Sequence, residues 1–139
     1  MKKIVVIMIL ALWSVSCSEK KTEFVQSEVY KNLYLIKNMP EESALGKKCI
    51  EDFVTRNALK EDAEFYNYSN NTKYFLDHKE DPGGFSSEEI SRYQDKEGIA
   101  SLGFIKCEKD SLKKAGIVRY YNWKYGDFYR PDTIIKCSQ

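Results

Sequence analysis

Two stretches of the chain carry residue types that could do chemistry. The first is 77–89, Asp-His-Lys-Glu-Asp-Pro-Gly-Gly-Phe-Ser-Ser-Glu-Glu, which holds the only histidine, several carboxylates and two hydroxyls. Asp77 orienting His78, with Ser86 or Ser87 as nucleophile, has the composition of a catalytic triad. Ser86, however, stands three residues before Glu89, the spacing of a helix capping box, and that role occupies its hydroxyl. A turn built on Asp81-Pro82-Gly83-Gly84 is also a poor platform for groups that must be held in place. Asp77, Glu80 and Asp81 offer oxygen ligands of the kind calcium takes, but not at EF-hand spacing. Glu88 and Glu89 point to different faces of a helix, so they form no acid–base pair. From this stretch we assign no catalytic residue, no metal site and no cofactor, and we read the chain as a non-enzyme.

The second stretch is 119–130, Arg-Tyr-Tyr-Asn-Trp-Lys-Tyr-Gly-Asp-Phe-Tyr-Arg, in which six of twelve residues are aromatic and cations are interleaved. Tyr, Trp and Arg dominate binding hot spots because they bring large contact area, few torsions and a polar tip. Aromatic residues are also ordinary strand residues, and strand alternation sends about half of them inward. Arg119, Tyr121, Trp123, Tyr125, Tyr129 and Arg130 are therefore the candidate binding residues. Trp123, Tyr125 and Tyr129 are expected at an exposed hairpin tip.

These groups sit in a chain of 139 residues with a formal net charge of +1, 42% hydrophobic and 14% aromatic. That length fits one domain, and the apolar share is enough for a core. One His and seven Gly argue against histidine-rich metal sites and glycine-rich phosphate loops. Near-neutral charge argues against nucleic acid as a partner.

The elements that position these groups can be read along the chain. Val25, Val29, Leu33 and Ile36, with Tyr30 and Tyr34, recur at near-helical spacing and predict a helix over about 24–38. Pro40 ends it and suits the first turn of a second helix over about 41–60, whose apolar stripe includes Leu45, Cys49, Ile50, Phe53 and Val54. Residues 61–71 are mixed and turn-like, and 72–76 reads as a short strand. The capping box predicts a helix over 87–96. Residues 99–107, 114–123 and 128–137 read as three strands joined by short polar links, an antiparallel meander with Pro131 marking an edge. The expected fold is α+β, with the N-terminal helices packed on one face of a C-terminal antiparallel sheet of three to four strands.

The N-terminus has the parts of an export signal: Lys2 and Lys3, a ten-residue apolar run over 4–13, then Ser14-Val15-Ser16-Cys17. The run is too short to span a bilayer, which takes about 20 residues. Residues 1–21 resemble a bacterial lipoprotein signal peptide, with Ser14 where that class usually has Leu. The resemblance implies cleavage before Cys17, a diacylglycerol thioether on its sulfur, and acylation of the new terminus. It divides the chain into a signal peptide (1–16), a lipidated cysteine with its tether (17–24) and one globular domain (25–139). Several acyl chains together hold a protein on a membrane stably. Ser18 is not the Asp that resembles an inner-membrane retention signal, which favours an outer-membrane location in the envelope. Loss of Lys2 and Lys3 leaves 20 basic against 21 acidic side chains, a net charge of −1.

With Cys17 acylated, Cys49, Cys107 and Cys137 remain, and an exported compartment permits one disulfide. In a flat meander Cys107 and Cys137 are separated by two strand spacings, about 9.5 Å, beyond the Cα limit of about 7 Å for a bridge. That argument favours Cys49 as one partner, with Cys49–Cys137 the expected pair and Cys49–Cys107 the alternative. The function these features point to is a non-catalytic envelope lipoprotein that binds a protein, such as an inhibitor or immunity protein against a toxin or hydrolase. The alternative is a small-ligand or glycan binder with a cystatin-like pocket, by analogy of fold alone.

Overall fold

A strand that is covered on both faces shows no simple apolar–polar alternation, and 33–37, Leu-Tyr-Leu-Ile-Lys, is such a strand. The computed structural model describes residues 20–77 and 86–137. In it the stretch 24–38 forms two antiparallel strands, β1 (Glu23–Gln26) and β2 (Leu33–Lys37), in place of the expected helix. The apolar positions that fit a helical period belong instead to both faces of β2. Leu33 and Leu35 enter one buried cluster while Tyr34 and Ile36 join another.

After β2 the chain crosses over through α1 (Ser43–Arg56) to β3 (Ala63–Asn67), which pairs parallel to β2. The second helix thus forms where Pro40 and the apolar stripe place it, burying Gly46, Ile50 and Val54. It ends through Asn57 and Ala58, the latter in the left-handed region at φ 47°. Residues 72–76 are not a strand. A turn leads into the single-turn α2 (Tyr74–Asp77). Next comes α3 (Ser87–Glu97), opened by the anticipated capping box. Ser86 Oγ accepts from the Glu89 N–H at 3.2 Å, and the Ser86 N–H donates to Glu89 Oε2 at 2.9 Å.

The last strands are β4 (Gly98–Lys106), β5 (Lys114–Tyr120) and β6 (Asp132–Ile135), an antiparallel meander as expected. Among the described residues the sheet has six strands in the order β1-β2-β3-β4-β5-β6, mixed because of the parallel β2–β3 pair. The α+β class holds, while the sheet of three to four antiparallel strands is corrected to six mixed ones. The single helical layer is corrected as well. α1 packs on Ile36, Phe65, Ala100, Leu102 and Val118, and Phe75 of α2 with Tyr93 of α3 packs on Leu33, Leu35 and Tyr66. Alternation along β2 and β3 puts these two clusters on opposite faces. Aromatic rings fill the first face, with Phe24 stacked on Phe53 at 4.1 Å and Tyr34 on Phe65 at 5.8 Å.

The disulfide joins Cys107 to Cys137, with Cα atoms 5.9 Å apart, and Cys49 is a free thiol. The expected Cys49–Cys137 pair is therefore wrong, although the meander that argued for it is present. Both cysteines lie just past the last paired residues of β4 and β6, where the strand spacing of a flat sheet no longer applies. The register shift at Gly116/Ile117 bends β6 against β5, and a bulge adds twist there. Ile135 lies directly over Gly116: a Cβ there would meet its Cδ1 at 2.9 Å. Among the described residues no helix is long and apolar enough to cross a membrane. The signal segment 1–16, Cys17, His78 and the 81–84 turn lie outside the described residues.

Candidate functional site

β5 stops at Tyr120, and the loop from 121 to 131 is folded back on the domain rather than projecting as a hairpin tip. The anchor is Tyr125, which is 7% exposed and donates its hydroxyl to the Pro40 carbonyl at 2.9 Å. Its ring occupies a notch left by Gly46, where a Cβ would meet Tyr125 Cε1 at 2.4 Å. Gly126 plays the same part against the Tyr120 ring, with a closest approach of 2.5 Å to an added Cβ. Lys124 pairs with Glu41, which lowers the Glu41 carboxyl and raises the Lys124 ammonium. Expectation and structure part here: Tyr125 is core rather than an exposed binding residue.

Pinned in this way, the loop presents other rings outward. Trp123 is 89% exposed and Tyr129 88%. Phe128 stacks on Tyr121 at 5.6 Å and meets Tyr129 edge-on at 5.5 Å, giving a graded row of three rings. Single exposed apolar residues are common, but a contiguous exposed aromatic patch points to an interaction. These rings line one side of a groove of about 550 Å³, and Gln94, Asp95 and Lys96 at the end of α3 line the other. Of the candidate binding residues, Tyr121, Trp123 and Tyr129 line this one groove. Arg119 is half-buried with its guanidinium over Gly103 and lies outside the groove lining. Arg130 is exposed and pairs locally with Asp127 at 3.9 Å.

Behind the groove lies a group the sequence reading missed. Tyr121 donates its hydroxyl to Glu64 Oε2 at 3.0 Å, and Gln94 Nε2 donates to the same hydroxyl at 2.8 Å. Glu64 sits on β3 between Ala63 and Phe65, both buried. Burial pushes its carboxyl up to about 7, with nearby Asp62 adding to the effect and the bonds from Tyr121 and Gln94 opposing it. Tyr121 is raised to about 12, mainly by burial, so its proton stays on oxygen and the phenol acts as a donor. The signal in the sequence was a lone acid in Ala63-Glu64-Phe65-Tyr66, legible only if that stretch is read as a strand.

Among the described residues no three His, Cys, Asp or Glu side chains are grouped to hold a metal ion. Ser86, the serine of the conceivable triad, spends its hydroxyl on the cap of α3. No family model matches the chain, and no curated protein or solved structure is significantly similar to it. Its function is therefore argued from the site's own chemistry.

Proposed function

We propose that the chain is a lipid-anchored envelope protein whose folded domain is a non-catalytic protein-binding module. The observation that carries this reading is the pair Trp123 and Tyr129, nearly fully exposed at the rim of a groove on a loop that Tyr125 and Gly46 hold rigidly. A preorganised aromatic surface loses little entropy on binding and supplies the contact area on which hot spots are built. The anchor belongs to the same proposal: Cys17, acylated after removal of 1–16, holds the domain on the envelope, on the outer membrane by Ser18. An inhibitor or immunity protein facing a toxin or hydrolase is the form that joins an anchor to a rigid recognition loop.

The test compares full-length protein and its W123A/Y129A variant, each extracted in detergent, as baits for envelope proteins. A protein retained by the wild type and lost from the variant supports the proposal, and identical captures from both contradict it. The second reading, a glycan or small-ligand binder, draws on the groove itself, because rings beside Gln94, Asp95 and Asn122 suit a sugar face with its hydroxyls. Loss of capture on adding free oligosaccharide would favour that reading.

A further inference from the structure

The tether and the aromatic loop are fastened to the same short link between β2 and α1. Asn38 stands in the left-handed region at φ 55°. Its carbonyl accepts from the Thr22 hydroxyl at 3.0 Å, and its Nδ2 donates to the Lys21 carbonyl at 3.2 Å. Two residues on, the Pro40 carbonyl accepts from Tyr125, and Glu41 pairs with Lys124. The strand registers agree with this. Glu23 pairs with Lys37, Ile36 with Asn67, Tyr66 with Gly98 and Ala100 with Tyr120. The start of β1 and the loop that follows β5 therefore share one end of the sheet.

The chain between this end and the anchor is short. Residues 18–20 alone separate the clamped Lys21 from Cys17, and four Cα steps reach at most about 14 Å. With the clamp undone, the ladder pair at Glu23 still limits the reach to about 20 Å. Either length is less than twice the radius of gyration of a 100-residue domain, about 26 Å. A folded soluble protein does not fit between this end of the sheet and the bilayer, whereas a segment emerging from the bilayer does. We propose that the groove beside Trp123 and Tyr129 takes the membrane-proximal segment of an integral membrane protein. This rests on the reading of Cys17 as the lipid anchor and of the groove as a protein-docking site. Membrane-proximal segments are rich in Trp, Tyr, Lys and Arg. The exposed Trp123 and Tyr129 rings offer faces on which such side chains stack, and Gln94, Asp95 and Lys96 opposite supply polar partners of either sign.

The test compares the processed lipoprotein with a variant carrying about 20 Gly and Ser residues inserted after Ser18, which adds about 25 Å of average reach. Trp123 is the only tryptophan left once 1–16 are removed, the other being Trp13. In liposomes containing a dansyl-labelled headgroup, energy transfer from Trp123 to dansyl is expected to be strong with the native tether and several-fold weaker with the lengthened one. Transfer that the insertion leaves unchanged overturns the placement, whatever docks in the groove. In cells, a photoreactive phenylalanine analogue at position 129 is expected to form its adduct with a protein that spans the membrane, on a peptide adjoining the span. The insertion should cut that yield at least about fivefold, because it dilutes the groove out of the headgroup layer. An adduct on a protein without a membrane span, or an equal yield from the lengthened variant, overturns this inference and leaves the groove a docking site. No adduct from either protein removes the docking reading and this inference with it.

Discussion

Replacing Glu64 by Gln should make the protein more stable at alkaline pH and leave it nearly unchanged at acidic pH. The carboxyl is held at about 7 in the folded state against 4.5 for the free group. Below pH 4.5 both states are protonated, and burial of a neutral acid costs little. Between 4.5 and 7 the unfolded chain releases this proton while the folded chain keeps it, so stability falls as pH rises. Above about 7 the folded state carries the charge and the full penalty is present. At about 1.4 kcal/mol per tenfold, the difference amounts to about 3 kcal/mol, reduced toward about 2 by the solvent that reaches a half-buried group. Gln has the same shape, accepts from Tyr121 as Glu64 does, and has no charge to bury. Urea unfolding of wild type and E64Q at pH 5 and pH 8 isolates the effect, because the other carboxylates cancel in the difference. The expected outcome is a small advantage for E64Q at pH 5, below about 1 kcal/mol, growing to about 2–3 kcal/mol at pH 8. A stability difference that is the same at both pH values, or E64Q the weaker at pH 8, would refute the assignment of Glu64 as a carboxyl destabilised by burial.

Other consequences follow from the packing. Peptide mapping without reductant should yield a linked Cys107–Cys137 peptide and an alkylatable Cys49, and C107S/C137S should cost about 3–4 kcal/mol, the entropy of closing a loop whose ends are 30 residues apart. G46A should lower stability by about 1–3 kcal/mol through overpacking against Tyr125, despite the better helix propensity of Ala, and adding Y125L should restore much of it. S86A should cost about 1 kcal/mol through loss of the cap on α3, read by thermal unfolding.

The parts of the fold that were legible in the sequence are those decided within a few residues. Ser86 and Glu89 are near neighbours, and their capping box places α3 almost to the residue. Pro40 and the stripe through Ile50 and Val54 place α1 for the same reason. β1 and β2 were illegible because Val25, Leu33 and Ile36 satisfy a helical period by coincidence. What decides their state is burial of β2 from both sides by residues far along the chain, Phe53 and Phe65 on one face and Phe75 on the other. The site divides in the same way. The exposure of Trp123 and Tyr129 was legible because composition alone marks an aromatic loop. Tyr125 was misplaced because its burial depends on a notch at Gly46 and an acceptor on Pro40, 85 residues away. Glu64 meets Tyr121 across a sequence gap of 57 residues, which no local pattern reports. Cys107 and Cys137 defeat a spacing argument that holds within a ladder but not beyond its ends, where a bulge turns one strand toward the other.

The central claim is that the aromatic loop, on a domain tethered to the envelope, is where a protein partner docks. A photoreactive phenylalanine analogue placed at position 123 or 129 of the full-length protein, irradiated in intact cells, tests this most directly. Position 112 is the control, since Leu112 is 93% exposed in the turn between β4 and β5, outside the groove lining. We predict one discrete protein adduct from positions 123 and 129 and none from 112. No adduct at 123 and 129, or the same adducts from all three positions, would contradict the claim.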